Sequence, residues 1–212
     1  MAFMQTTFKS GWITDLLLPP APEGKTPQDV LDAGYELALK MCSDPVLMAR
    51  LNPLITNVVT IPASDPKAVD HRALSRDFGV ELEAEYALEE FQHYAITDKL
   101  NLLPGYSTDL TYYSAIRRTQ DGMEALTNPG SGVSIYGRFS VRVAESRDVK
   151  ALDASDGKGW VINLYETNEL RCNVMLSYYI RATTDKSHRQ AHGRFKEMWY
   201  KGMKEMGYSA MS

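Results

Sequence analysis

The chain has 212 residues, of which 44% are hydrophobic and 24% charged, a composition that excludes disorder, collagen and coiled coil and suits one globular domain spanning 1–212. Its formal charge of −4 is a poor electrostatic match to a polyphosphate, so nucleic acid is not an expected partner. Two cysteines, Cys42 and Cys172, are too few for a disulfide framework. With no run of eighteen apolar residues and no basic-then-apolar leader, the expectation is a cytoplasmic protein without stable membrane insertion.

Thr6 to Leu18 is rich in β-branched and aromatic residues and ends in Pro19-Pro20-Ala21-Pro22, which predicts an opening strand. Thr26-Pro27-Gln28-Asp29 supplies an N-cap, a first-turn proline and an acid, and the apolar stripe Val30, Leu31, Tyr35, Leu37, Ala38 and Met41 carries a helix over 26–42. Ser43-Asp44-Pro45 restarts a short helix that Asn52-Pro53 stops. Residues 54–62 predict a strand, and 63–79, polar and weakly patterned, predict an inserted loop.

From Glu81 to Asp98 helix propensity competes with alternation, and we read a strand leading through Leu103-Pro104-Gly105 into the tyrosine-rich run 108–115. Asp121-Gly122 marks a turn. Residues 132–143 alternate, with Val133, Ile135, Gly137, Phe139, Val141 and Val143 on one face, and residues 153–158 predict a loop before a strand from Trp160 to about Met175. The last segment repeats Ala191, Phe195, Met198, Trp199, Gly202, Met203 and Met206 at helical spacing, with a basic opposite face. Residues 181–204 hold seven basic and two acidic side chains, whereas 63–90 hold three basic and eight acidic. The two regions read as attracting each other across the fold or simply as two solvated faces.

The fold class is therefore α+β. One strand, two short helices, a curved antiparallel sheet and a long C-terminal helix make the helix-grip layout, in which the sheet wraps the helix and leaves a pocket between them. Leu51-Asn52-Pro53-Leu54, Ile96-Thr97-Asp98-Lys99, Leu103-Pro104-Gly105, Leu164-Tyr165-Glu166, Leu170-Arg171-Cys172-Asn173 and Lys186 to His188 carry a resemblance. In these words the chain resembles a fungal domain family related to the START-like (SRPBCC) superfamily, which also holds polyketide cyclases and plant allergen-type ligand carriers. The segments 63–79 and 145–158 look expanded relative to that pattern. The resemblance implies a fold and a ligand class, an apolar, polyketide or terpenoid-type small molecule, in a fungal secondary-metabolite pathway. It carries over no catalytic residues.

Phosphate loops, G-x-G-x-x-G, H-E-x-x-H, C-x-x-C and G-x-S-x-G are absent from the sequence, so no cofactor is expected. His188 and His192, spaced i, i+4, could join Glu166 or His93 around zinc, but that spacing is more often a helix boundary and no metal is expected. Acid–base chemistry is what an apolar cavity supports most readily, because burial moves carboxyl and imidazole pKa values toward neutrality. The expected catalytic residues are His192, Tyr94, His93 and Glu166, and the expected ligand-binding residues are Tyr112, Tyr113, Arg171, Tyr178, Phe195 and Trp199. Strand parity puts His93 and Tyr94 on opposite faces, and Glu166 opposite Arg171. These readings point to a cofactor-free cyclase, isomerase or dehydratase. A non-catalytic carrier of lipid or other small molecules is the alternative, and a scaffold using the basic helix face is a third.

Overall fold

Alternation along the first strand and helical periodicity along the last segment define the two elements that frame the fold. In the computed structural model, residues 4–82, 87–103, 106–146 and 159–208 are described. Strand β1 (Gln5–Leu17) is followed by helices α1 (Pro27–Cys42) and α2 (Pro45–Leu51), strand β2 (Ile55–Ile61), helix α3 (His71–Phe78), strands β3 (Gln92–Leu103), β4 (Tyr106–Thr119), β5 (Gly122–Gly130), β6 (Val133–Ser146) and β7 (Gly159–Asn173), and helix α4 (Val174–Glu205).

The seven strands form one antiparallel sheet in the order β1-β7-β6-β5-β4-β3-β2. Because β1 and β2 sit at opposite edges, the α1–α2 connection must travel from one edge to the other, and it does so over the face that α4 also covers. Local signals start the helices. Asp29 N–H donates to the Thr26 hydroxyl at 3.1 Å while the Asp29 carboxylate accepts from Thr26 N–H at 2.7 Å, a complete capping box. Asn173 caps α4 by accepting from Met175 N–H at 2.9 Å, so the chain passes from β7 into α4 without a loop.

Side chains on the concave face of the sheet meet α1, α2 and α4 in the main core, where Phe195, Trp199 and Met203 of α4 are completely buried. Each such side chain contributes about 1.5–3 kcal/mol of transfer free energy. The Trp199 indole N–H donates to Gly34 O at 2.9 Å, and Gly34 lets α1 approach closely, since a Cβ there would stand 3.0 Å from both Ile162 Cδ1 and Trp199 Cζ2.

Two expectations about elements need correction. The 63–79 segment carries α3, capped by Asp70 accepting from Ala73 N–H at 3.0 Å and closed by Gly79 in the left-handed region. Its apolar pair Leu74 and Phe78 spans a single turn, too short for a periodic signal, and packs with Ala115 and Leu126 in a second core on the convex face. The strand expected from Glu81 begins at Gln92. The sequence reading also left β5 unassigned. The Pro104-Gly105 turn and the 153–158 loop lie outside the described residues.

Candidate functional site

Strand parity sends Leu164, Glu166, Asn168 and Leu170 of β7 to the concave side, and the i, i+4 pair His188 and His192 of α4 faces them. Between sheet and helices lies a cavity of about 270 Å³. Its wall is mostly apolar, with Ile96, Ile116, Met123, Phe139, Leu164 and Phe195 among the contributors.

Glu166 is the polar centre of that wall and is 1% exposed. Its Oε1 lies 2.5 Å from His188 Nδ1 and accepts from Asn168 Nδ2 at 2.6 Å, while Oε2 lies 2.9 Å from His192 Nε2. Burial by itself would raise the Glu166 pKa. The hydrogen bonds of His188 and His192, the electrostatic pull of the His188 ring and the amide of Asn168 outweigh it and hold the carboxyl down at about 2. A carboxylate only accepts, so both ring nitrogens that face it carry protons. With the ring neutral, His192 Nδ1 then accepts from the Thr14 hydroxyl at 2.7 Å.

His188 is held differently. The Trp12 indole stacks on its ring, with centroids 4.6 Å apart and planes at 15°, and donates from Nε1 to Asp185 Oδ1 at 3.3 Å. Both nitrogens of His192 are engaged, but His188 Nε2 has no hydrogen-bond partner among the described residues. The result is a carboxylate–imidazole dyad at the cavity wall with one open ring nitrogen, oriented through the other. Among the described residues, no group of three or more His, Cys, Asp or Glu side chains is arranged to hold a metal ion, and each Glu166 oxygen is already bonded to one ring.

Of the residues singled out from the sequence, Glu166, His192, Tyr112 and Phe195 line this cavity. The others do not. His93 points to the convex face with Ala115, near His71 at 5.9 Å between ring centroids, because its parity is opposite to that of Tyr94. Tyr94 faces inward but is spent in the core, its hydroxyl donating to Gln92 Oε1 at 2.9 Å. Tyr113 alternates away from Tyr112 and sits under the Lys67 ammonium on the outer surface. Arg171 lies on the convex face with its guanidinium 4.9 Å from the centre of the Phe78 ring. Tyr178 is 85% exposed, since the chain has already entered α4 at Val174. Trp199 packs between α1 and α4, beyond the cavity.

The sequence reading gave His188 only as half of a possible metal pair, and missed Asn168, Thr14, Trp12 and Asp98. Period-two spacing from Glu166 to Asn168, from Ile96 to Asp98 and from Leu16 to Thr14 and Trp12 could have found all four.

Fold and site together define an α+β protein with a largely apolar, partly open cavity and a buried carboxylate–imidazole cluster in its wall. Residues 30–200 match a family described as a domain of unknown function, DUF7053, and the chain belongs to that family. The matched region contains Glu166, His188 and His192 and leaves β1, with Trp12 and Thr14, outside it. No curated protein matches the chain. Among the described residues no helix is long and apolar enough to cross a membrane.

Proposed function

We propose that the protein takes up an apolar, oxygen-bearing small molecule in the cavity between sheet and α4 and converts it by cofactor-free acid–base chemistry, as a cyclase, isomerase or dehydratase. One observation carries the reading: a fully buried carboxylate, bonded to two imidazoles, in a wall that is otherwise mostly apolar. Burying such a cluster costs several kcal/mol that hydrophobic side chains of the same volume would avoid, so stability alone gives no reason for it.

In this mechanism His188 Nε2 removes a proton next to a substrate carbonyl and returns it to another atom. Glu166 holds the ring by its Nδ1–H and stabilises the imidazolium that forms; His192, Asn168 and Thr14 hold Glu166 in place. The apolar wall excludes water and keeps the substrate in a reactive conformer. The resemblance to the START-like superfamily supports the same ligand class, and the place in a fungal biosynthetic pathway rests on it alone. The apolar wall also suits a carrier that solubilises its ligand without changing it.

Native mass spectrometry of the protein purified from its own host tests binding, the expected result being a co-purified apolar metabolite. Incubating that metabolite with wild type, His188→Gln and Glu166→Gln then separates the readings. Turnover that falls at least about a hundredfold in both variants with binding retained supports the enzyme. Binding without conversion in wild type establishes the carrier, and absence of any ligand overturns both.

A further inference from the structure

The cavity has a second polar pole that the acid–base cluster does not use. Asp98 of β3 and Tyr112 of β4 both line it, and the Tyr112 hydroxyl donates to Asp98 Oδ1 at 3.2 Å. Asp98 Oδ2 has no hydrogen-bond partner, and Asp98 makes no ion pair, among the described residues. Burial holds this carboxyl up at about 6 even though the hydrogen bond from Tyr112 pulls it down. Four strand steps separate β3 from β7 in the sheet, roughly 19 Å along its surface, so Asp98 and Glu166 belong to separate parts of the cavity wall.

The described lining holds two carboxylates, Asp98 and Glu166, and neither lysine nor arginine. Glu166 is satisfied by three donors; Asp98 has one. Asp98 is half-buried, and its second oxygen is not sealed from solvent, so in a mostly apolar wall without a cation it can accept a donor from the ligand and it repels a ligand anion.

Building on the small-molecule reading above, we propose that Asp98 and Tyr112 form a recognition subsite that accepts a hydroxyl or protonated amine at one end of the ligand, so that the cavity selects neutral or cationic apolar molecules and turns away carboxylates and phosphates. Phosphorylated and fatty-acid-like compounds are thereby outside the substrate class, whereas apolar alcohols and amines are within it.

Displacement of the neutral dye Nile red from the full chain by decan-1-ol, decylamine and decanoate, at about pH 8 where both Asp98 and decanoate are ionised, tests this. The alcohol and the amine should displace the dye with affinities about tenfold or more above that of decanoate. Asp98→Asn should bring the three within about threefold of one another. Tyr112→Phe, which strips Asp98 of its one donor, should widen the gap between amine and carboxylate and serves if Asp98→Asn fails to fold. Equal displacement by all three in wild type, or an unchanged ranking in both variants, overturns the subsite and leaves cavity binding intact. Failure of Nile red and all three compounds to bind overturns the small-molecule reading together with it.

Discussion

Glu166 and His188 meet at 2.5 Å across the packing of β7 against α4, twenty-two positions apart in the chain, and this contact turns an ordinary amphipathic helix into one wall of a candidate reaction chamber. The helix contributes two rings, one tied at both nitrogens and one at a single nitrogen. The strand contributes an anion that burial would otherwise discharge.

The first prediction concerns acid stability. The folded pKa of Glu166 lies below the unfolded carboxyl value of about 4.3, so its contribution is fully present above that pH and is lost as pH falls toward 2. About 3 kcal/mol is at stake. Glu166→Gln should lower stability at neutral pH by about that amount, because an amide N–H₂ would face a ring N–H, and its chemical denaturation midpoint should change less than that of wild type between pH 4.5 and pH 2. Parallel acid profiles for the two proteins would refute the ionised assignment.

Asp98 should behave in the opposite sense. Its folded pKa, about 6, lies above the model-peptide value of 3.8, so the folded state binds the extra proton and stability declines as pH rises from about 4 through 6. Asp98→Asn is therefore expected to be more stable than wild type at pH 7, by on the order of 1 kcal/mol once partial exposure is allowed for, with the difference vanishing below about pH 4. Urea denaturation at both pH values reads this directly.

Thr14 and His192 make a third test. With Nε2–H committed to Glu166, nitrogen-15 spectra of the imidazoles should show His192 as the Nε2–H tautomer wherever the ring is neutral. Thr14→Val removes the donor to Nδ1 and should cost about 1 kcal/mol while leaving the tautomer unchanged, since Glu166 still holds it. An Nδ1–H signal in wild type would contradict the arrangement.

Two glycines in helices separate packing from propensity. Gly34→Ala places a Cβ 3.0 Å from Ile162 and Trp199 and 3.1 Å from Leu18, and is expected to lower stability by about 1–3 kcal/mol through overpacking. Gly193→Ala, on the exposed side of α4 with nothing within 4 Å, should raise it by about 0.5–1 kcal/mol. Thermal melts of the two variants moving in the same direction would argue against the close α1–α4 crossing.

Much of the framework was legible from residues that act locally. Thr26 with Asp29, Asp44 with Pro45 and the alternation in β6 each state their element within a few positions, and these elements stand where expected. Helix α3 was not legible, because Leu74 and Phe78 make sense only beside Leu126 and Ala115 of other strands. Parity correctly split His93 from Tyr94 and Glu166 from Arg171, yet parity alone does not say which face is concave.

What the sequence determined by itself was the α+β class, the starts of α1 and α2 and the pairing of side chains by face, since all of these follow from steric and hydrogen-bonding preferences among near neighbours. Tertiary structure decided which histidine keeps an open ring nitrogen and which carboxylates line the cavity. His188 and His192 stand alike on one helix face until Thr14 of β1 occupies the second nitrogen of His192 and Trp12 stacks on His188. Asp98 looks like any polar strand residue until the closed fold sets it, half-buried, in a cavity wall that holds no lysine or arginine among the described residues. Both outcomes depend on groups far apart in the chain, and only the closed fold brings them within hydrogen-bonding distance.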